Sequence, residues 1–216
     1  MQPVFPRWSN SIYRWTIAAL LVGPASFIAL LWVLARTPYY TGENAVRDQP
    51  VKFDHRHHVR DDGIDCLYCH SGAKTSAYAG VPPASLCMNC HSQIWTDSPE
   101  LSLVRTSFYT DTPIRWNRVN AVPDFVFFNH SIHVAKGVGC VTCHGRVDEM
   151  GLVFQARRLS MGWCLDCHRA PEKFLRPPDQ VTSMEWVPAG PQIELGRRLK
   201  KTLAVNPSVE CTGCHR

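Results

Sequence analysis

Ten cysteines in a chain of 216 residues fall into five pairs of identical spacing, each followed at once by a histidine. The strings are Cys66-Leu-Tyr-Cys69-His70, Cys87-Met-Asn-Cys90-His91, Cys140-Val-Thr-Cys143-His144, Cys164-Leu-Asp-Cys167-His168 and Cys211-Thr-Gly-Cys214-His215. Two thiols at this spacing with an imidazole behind them are the arrangement that attaches haem covalently. The sulfurs add across the vinyl groups, and the histidine is held under the iron as its proximal ligand. Other uses of paired cysteines fit less well. Zinc sites take pairs of pairs, and five is an odd number. A redox dithiol sits once at a helix start, not five times along a chain. Disulfides across two-residue loops make poor staples and need no uniform spacing. Zinc stays as the alternative.

The histidines outside these motifs are His55, His57, His58, His130 and His133. Four of them belong to an internal repeat. Phe53-Asp-His55-Arg-His57-His58-Val59 precedes the first motif, and Phe128-Asn-His130-Ser-Ile-His133-Val134 precedes the third, both reading F-x-H-x-x-H-V. From the phenylalanine to the motif is 13 positions in one copy and 12 in the other, and from that motif to the next is 21 and 24. The chain therefore reads as a duplicated unit of two distal histidines, a haem, a connector and a second haem, with the fifth motif outside the duplication. His55, His58, His130 and His133 are the candidate distal ligands, which close an iron to substrate. On a helical turn two histidines three apart point to one side and can serve two adjacent haems. This pattern resembles the segment before the first haem of the tetrahaem cytochromes c3. The resemblance implies that His55 serves the Cys66–His70 haem and His130 the Cys140–His144 haem, with His58 and His133 serving neighbours. His57, whose counterpart is Ile132, reads as solvent-facing or as a hydrogen-bond partner.

One iron is left without a histidine, and methionine is the usual substitute. Met88 lies inside a CxxCH loop, an awkward place from which to reach a distal face. Met161 lies just before Cys164, where the first unit has Ala84, and a ligand peculiar to one copy is what an odd haem needs. Met161 is the favoured residue; Met184, Met150 and His57 remain alternatives, as does a packing role for Met161.

The elements that must position these groups are short. Five haems in a chain of this length leave little room for a protein-only core, so porphyrin faces must supply most of the apolar interior. The 16 prolines and 13 glycines suit loops and short helices wrapped around cofactors. A net charge of +5 is modest and spread out, with no basic run or aromatic array that argues for nucleic acid. Ile17 to Ala35 are 19 positions without a charge, enough to cross a bilayer. Trp15, Trp32 and Tyr39-Tyr40 lie near its ends, and Gly23-Pro24 within it is tolerable in a membrane helix. The competing reading is a cleaved signal peptide ending near Val33-Leu34-Ala35, but a signal h-region is usually shorter, and an uncleaved anchor is expected. Because c-type haem is attached outside the cytoplasm, the N-terminus is expected inside the cytoplasmic membrane and the haem domain on the periplasmic side. The spacing predicts a short helix over 98–108, an extended apolar run over 124–128, a proline-rich wrap after Pro171, and a basic amphipathic helix over 193–203.

The layout as a whole, with PDFVFFNHSIHVAKGVGCVTCHG and LSMGWCLDCHRAPE, is similar to the pentahaem cytochrome c subunit of alternative complex III, a bacterial quinol-oxidising respiratory or photosynthetic complex. The expected fold is a multihaem cytochrome c, class III-like, of loops and short α-helices packed on haems, with one N-terminal transmembrane helix. Its expected divisions are 1–36 (cytoplasmic N-terminus and span), 51–95 (first diheme unit), 96–125 (connector), 126–170 (second diheme unit) and 171–216 (wrap and fifth haem), with 37–216 exported. The resemblance implies five covalent haem c, no catalysis by the chain alone, and electron relay from menaquinol to a periplasmic acceptor. It also implies partners: an iron–sulfur subunit of molybdopterin type, polytopic quinol-binding membrane subunits and a monohaem cytochrome c. The competing function is a stand-alone quinol dehydrogenase of NapC/NrfH type. Those proteins carry methionine two positions after a CxxCH histidine, where this chain has Gly72, Gln93, Arg146 and Ala170. A nitrite-reductase-type enzyme needs an open haem, often on CxxCK, and no CxxCK occurs.

Overall fold

The computed structural model describes residues 4–215; the outermost residues of the first and last expected segments, 1–3 and 216, lie outside the described residues. The chain divides at Gly42 into two compact units. The first is dominated by helix α1, Ser9–Leu34, which runs unbroken through Pro24 and buries none of its residues. At ~1.5 Å per residue, 26 residues reach about 39 Å, more than the ~30 Å of a bilayer's hydrocarbon. At its C-terminal end the Arg36 guanidinium lies 3.6 Å over the Trp32 ring and also donates to the Trp32 carbonyl.

The second unit, from Glu43 onward, is a set of short helices and one-turn segments joined by loops. Its longer helices are α2 (Ala84–His91), α3 (Ser102–Thr110), α4 (His130–Ala135), α5 (Met161–Arg169) and α6 (Gln192–Thr202). Single turns carry the remaining cysteine motifs, at Cys66–Cys69, Cys140–His144 and Cys211–Cys214. Among the described residues β-structure is limited to isolated bridges, such as Val126 with His215 and Val138 with Leu175. The helix expected over 98–108 begins as a 3-10 turn, Pro99–Leu101, because Ser98 caps it and Pro99 cannot donate. It then continues as α3.

The protein-only core is small. Val51, Met88, Leu101 and Val104 form one buried cluster, with Ala84, Cys87, Ile114 and Trp116 packed against it. Among the described residues eight apolar side chains in all are buried, and only Leu175 is sealed, at 1% exposure. A unit of this size with so little interior needs apolar partners of another kind. Close backbone approaches tie the loops together. A β-carbon on Gly196 of α6 would collide with the Glu172 carbonyl, so α6 lies directly on the turn Pro171–Lys173. Gly137, at φ 81°, occupies a left-handed turn that side chains disfavour, and its carbonyl accepts from the Arg176 amide.

Candidate haem sites

Each cysteine pair occupies one helical turn, so residues three apart present both sulfurs on one face and the following histidine closes the turn. Local capping fixes two of these turns: the Asp65 carboxylate accepts from the Leu67 amide at 2.8 Å, and the Ser160 hydroxyl from the Trp163 amide at 3.4 Å. None of the ten cysteines is joined in a disulfide. Among the described residues no three His, Cys, Asp or Glu side chains gather as a bare-ion site. The cysteine pairs thus do not converge in the pairs-of-pairs manner that zinc requires.

The two F-x-H-x-x-H segments have matching geometry although their backbones differ. The first is wound as a π-helical turn, Arg56–Asp61, and the second as α4. Phe53 meets His55 edge-on at 4.7 Å and 84°, and stacks on His58 at 4.3 Å and 29°. Phe128 meets His130 edge-on at 4.7 Å and 84°, and lies against His133 at 4.6 Å and 31°. In each copy the second histidine donates back to the carbonyl four residues earlier, His58 to Asp54 at 2.9 Å and His133 to Asn129 at 2.7 Å. One phenylalanine therefore sets the orientation of two imidazoles in each segment.

Those imidazoles face motif histidines. His58 lies 6.2 Å from His91 between ring centres, His133 lies 6.2 Å from His168, and His130 lies 6.4 Å from His144 with the planes only 7° apart. A metal–imidazole bond of about 2 Å, plus ~1.1 Å from nitrogen to ring centre, puts two imidazoles on one metal about 6.2 Å apart. The observed separations fit a haem iron held between each pair. His55 lies within electrostatic reach of His70 and His144, and its Nδ1 is buried with no hydrogen-bond partner.

The ring nitrogens are set for this use. Nδ1 of His70 lies 2.7 Å from the Gly80 carbonyl, that of His91 3.3 Å from Ile94, that of His130 2.8 Å from Ala77, and that of His168 2.7 Å from Ser208. A carbonyl only accepts, so Nδ1 carries the proton and Nε2 keeps its lone pair for a metal. Burial pushes His55 and His144 down to about 4, so these two rings stay neutral at physiological pH, and it lowers His133 as well. Burial likewise pushes the Cys143 thiol up to about 12 and Cys167 up to about 11.

The fifth motif differs. No imidazole faces His215 among the described residues; Phe125 lies beside it, at 5.7 Å and 34°, and the Phe127 amide donates to the Cys214 carbonyl at 2.7 Å. Met161, the first residue of α5, is 65% exposed, whereas Met88 and Met150 are spent in packing at 7% and 6% exposure. Met184 is half-buried. His57 is turned to solvent, 3.7 Å from Asp61 and 3.6 Å from Asp62. The carbonyls of Gly80, Ala77 and Ser208, and the aromatic covers Phe125 and Trp95, carry no motif, so the sequence reading does not find them. Trp95 lies 6.4 Å from His91.

Comparison with known proteins agrees with this chemistry. Residues 126–216 match the family described as cytochrome c7 and related cytochrome c. The chain is also similar to the menaquinone reductase multiheme cytochrome c subunit of Nitratidesulfovibrio vulgaris, 34% identical over 99 residues, which is 45% of this chain and 46% of that protein. The chain thus spans about half the length of the curated relative it matches. The fold is helix-rich, its residues 126–216 are similar to the cytochrome c7 family, whose members hold haem c, and one apolar helix near the start of the chain is long enough to cross a membrane.

Proposed function

We propose that the chain is the electron-transfer subunit of a membrane quinol oxidoreductase of the alternative complex III class, carrying five haem c and performing no catalysis alone. The observation that supports this best is the set of three imidazole pairs at metal-bridging separation, each joining a repeat histidine to a CxxCH histidine. When bound, haem supplies at each site a one-electron ferric/ferrous couple. The chain's own residues do the rest. The ten motif cysteines hold the porphyrins, and His70, His91, His144, His168 and His215 are the proximal ligands. His55, His58, His130 and His133 are the distal ligands, paired in that order with His70, His91, His144 and His168. Met161 serves the odd iron. Two strong ligands per iron exclude substrate, and carbonyl-bound Nδ1–H groups make the imidazoles better donors. The similarity to a menaquinone reductase component supports a quinol-linked complex, and α1 supports a membrane anchor; the haem domain lies outside the cytoplasm because c-type haem is attached there. The proposed partners are the iron–sulfur subunit of molybdopterin type, polytopic quinol-binding subunits, a monohaem cytochrome c and a periplasmic acceptor.

The relative's name favours a second reading in which electrons run towards menaquinone. Purifying the tagged chain from its native membranes and mixing the complex with menaquinol separates the two. Quinol-dependent reduction of the haems, followed by reduction of an added soluble cytochrome c, is the expected result. Isolation without membrane partners, or haems that quinol does not reduce, overturns the proposal.

A further inference from the structure

Chain order is not the order of the motifs in space. Resting on the reading of the five motifs as haem sites, we infer that they are strung as second, first, third, fourth, fifth, with the two duplicated units joined through their first motifs and the second and fifth motifs as the two ports.

The junction is the best-defined link. The Cys66 and Cys140 side chains lie within electrostatic reach of each other. Both also dock on one strand of backbone: the Cys140 amide donates to the Val181 carbonyl at 2.9 Å, and the Cys66 thiol lies 3.8 Å from the Thr182 carbonyl. Arg176 holds that backbone, donating to the carbonyls of Gln180 at 3.2 Å and Ser183 at 2.7 Å. The second ligand segment completes the joint. His130 and Ser131 donate their amides to the Ala77 and Ser76 carbonyls, in the loop following the first motif. His144 in turn lies within electrostatic reach of His70. Cys66 and Cys140 would each hold a haem by one thioether, so the first and third haems would lie closest on the sides these two cysteines hold.

The outer links follow from the same kind of contact. Asn89, inside the second motif, donates to the Tyr68 hydroxyl, inside the first, at 3.4 Å, and Cys87 lies near Cys69. Cys143 of the third motif lies near Cys164 and Cys167 of the fourth. Cys164 lies near Cys214 of the fifth, and the His168 ring is held by the Ser208 carbonyl, just ahead of that motif. The second and third motifs, consecutive in the chain, are joined by no such hydrogen bond among the described residues.

Burial marks the same ends independently. Of the ten cysteines, Cys90 of the second motif and Cys211 of the fifth are the two that are exposed. Beside the second motif Trp95 is held at φ 56°, a region unfavourable to a bulky side chain, with 61% of the residue open to solvent next to His91. Beside the fifth, Phe125 is 60% exposed against His215. An aromatic side chain thus stands beside the histidine of each terminal motif.

A structure of the haem-loaded full-length chain tests this through iron–iron distances. Expected is an iron at the first motif that neighbours those at the second and third, an iron at the fourth between the third and fifth, and solvent-facing haem edges at the second and fifth. If five haems are present but the iron at the second motif is nearer to the third's than the first's is, the inferred order is overturned while the haem assignment stands. If the motifs hold no haem, the underlying assignment fails instead. A variant gives a second readout. His130→Met should raise the potential at the third motif, so that poising it reduced removes magnetic coupling from the first and fourth ferric signals. Loss of coupling at the second motif in place of the first contradicts the order.

Discussion

At the scale of single residues, the decisive groups are imidazoles whose orientation is imposed by neighbours. His58 and His133 are each locked by a phenylalanine face and a carbonyl four residues back. His58→Ala is therefore expected to turn one low-spin iron high-spin in the electron paramagnetic resonance spectrum while the other four stay unchanged. His57 makes the contrasting case: its side chain is 65% exposed and faces two carboxylates, so His57→Ala should leave the spectrum as it was. Met161→Ala is expected to remove one high-potential component from a redox titration, because a thioether stabilises the ferrous form relative to a second histidine. If all five potentials stay put, Met161 is a packing residue.

At the scale of elements, small polar anchors hold short helices that cannot sustain themselves by propagation alone. Asp148, at 4% exposure, is bound by Arg146 through two hydrogen bonds of 2.8 and 2.6 Å. The Arg146 guanidinium holds its carboxyl below the usual range. The stabilisation is therefore complete above the unfolded carboxyl pKa of about 3.9 and is lost as pH falls from there through the folded value. Asp148→Asn should flatten that part of an acid-unfolding curve followed by circular dichroism. Gly196 is the packing counterpart: Gly196→Val must push α6 off the Glu172 carbonyl, and thermal or urea unfolding should show a loss of about 1–3 kcal/mol. Much at this scale was legible in the sequence. The Ser98-Pro99 start, the basic helix near the end and the positions of the cysteine turns follow from local signals, because capping, periodicity and thioether spacing are local constraints. The π-helical winding of Arg56–Asp61 was not legible. The second copy makes the same phenylalanine–histidine contacts on an α-helical turn, so the shared pattern does not announce which winding each copy adopts.

At the scale of the whole molecule, the sequence announces haem chemistry but not its layout. The junction joins Cys66 to Cys140, residues far apart in the chain, through backbone at Val181 and Thr182 that carries no motif. The small protein core has the same origin as the motif density: a unit with so few buried apolar side chains relies on cofactor faces for its interior. The haem-free chain is accordingly expected to unfold without the cooperative transition of the loaded one. The direct measurement is the number of covalently attached haems per full-length chain, from the pyridine haemochrome absorbance against protein mass, with intact-protein mass spectrometry as the count. Five c-type haems on every chain are predicted. A chain carrying bound zinc and no c-type α-band, or a saturating count other than five, would contradict the account.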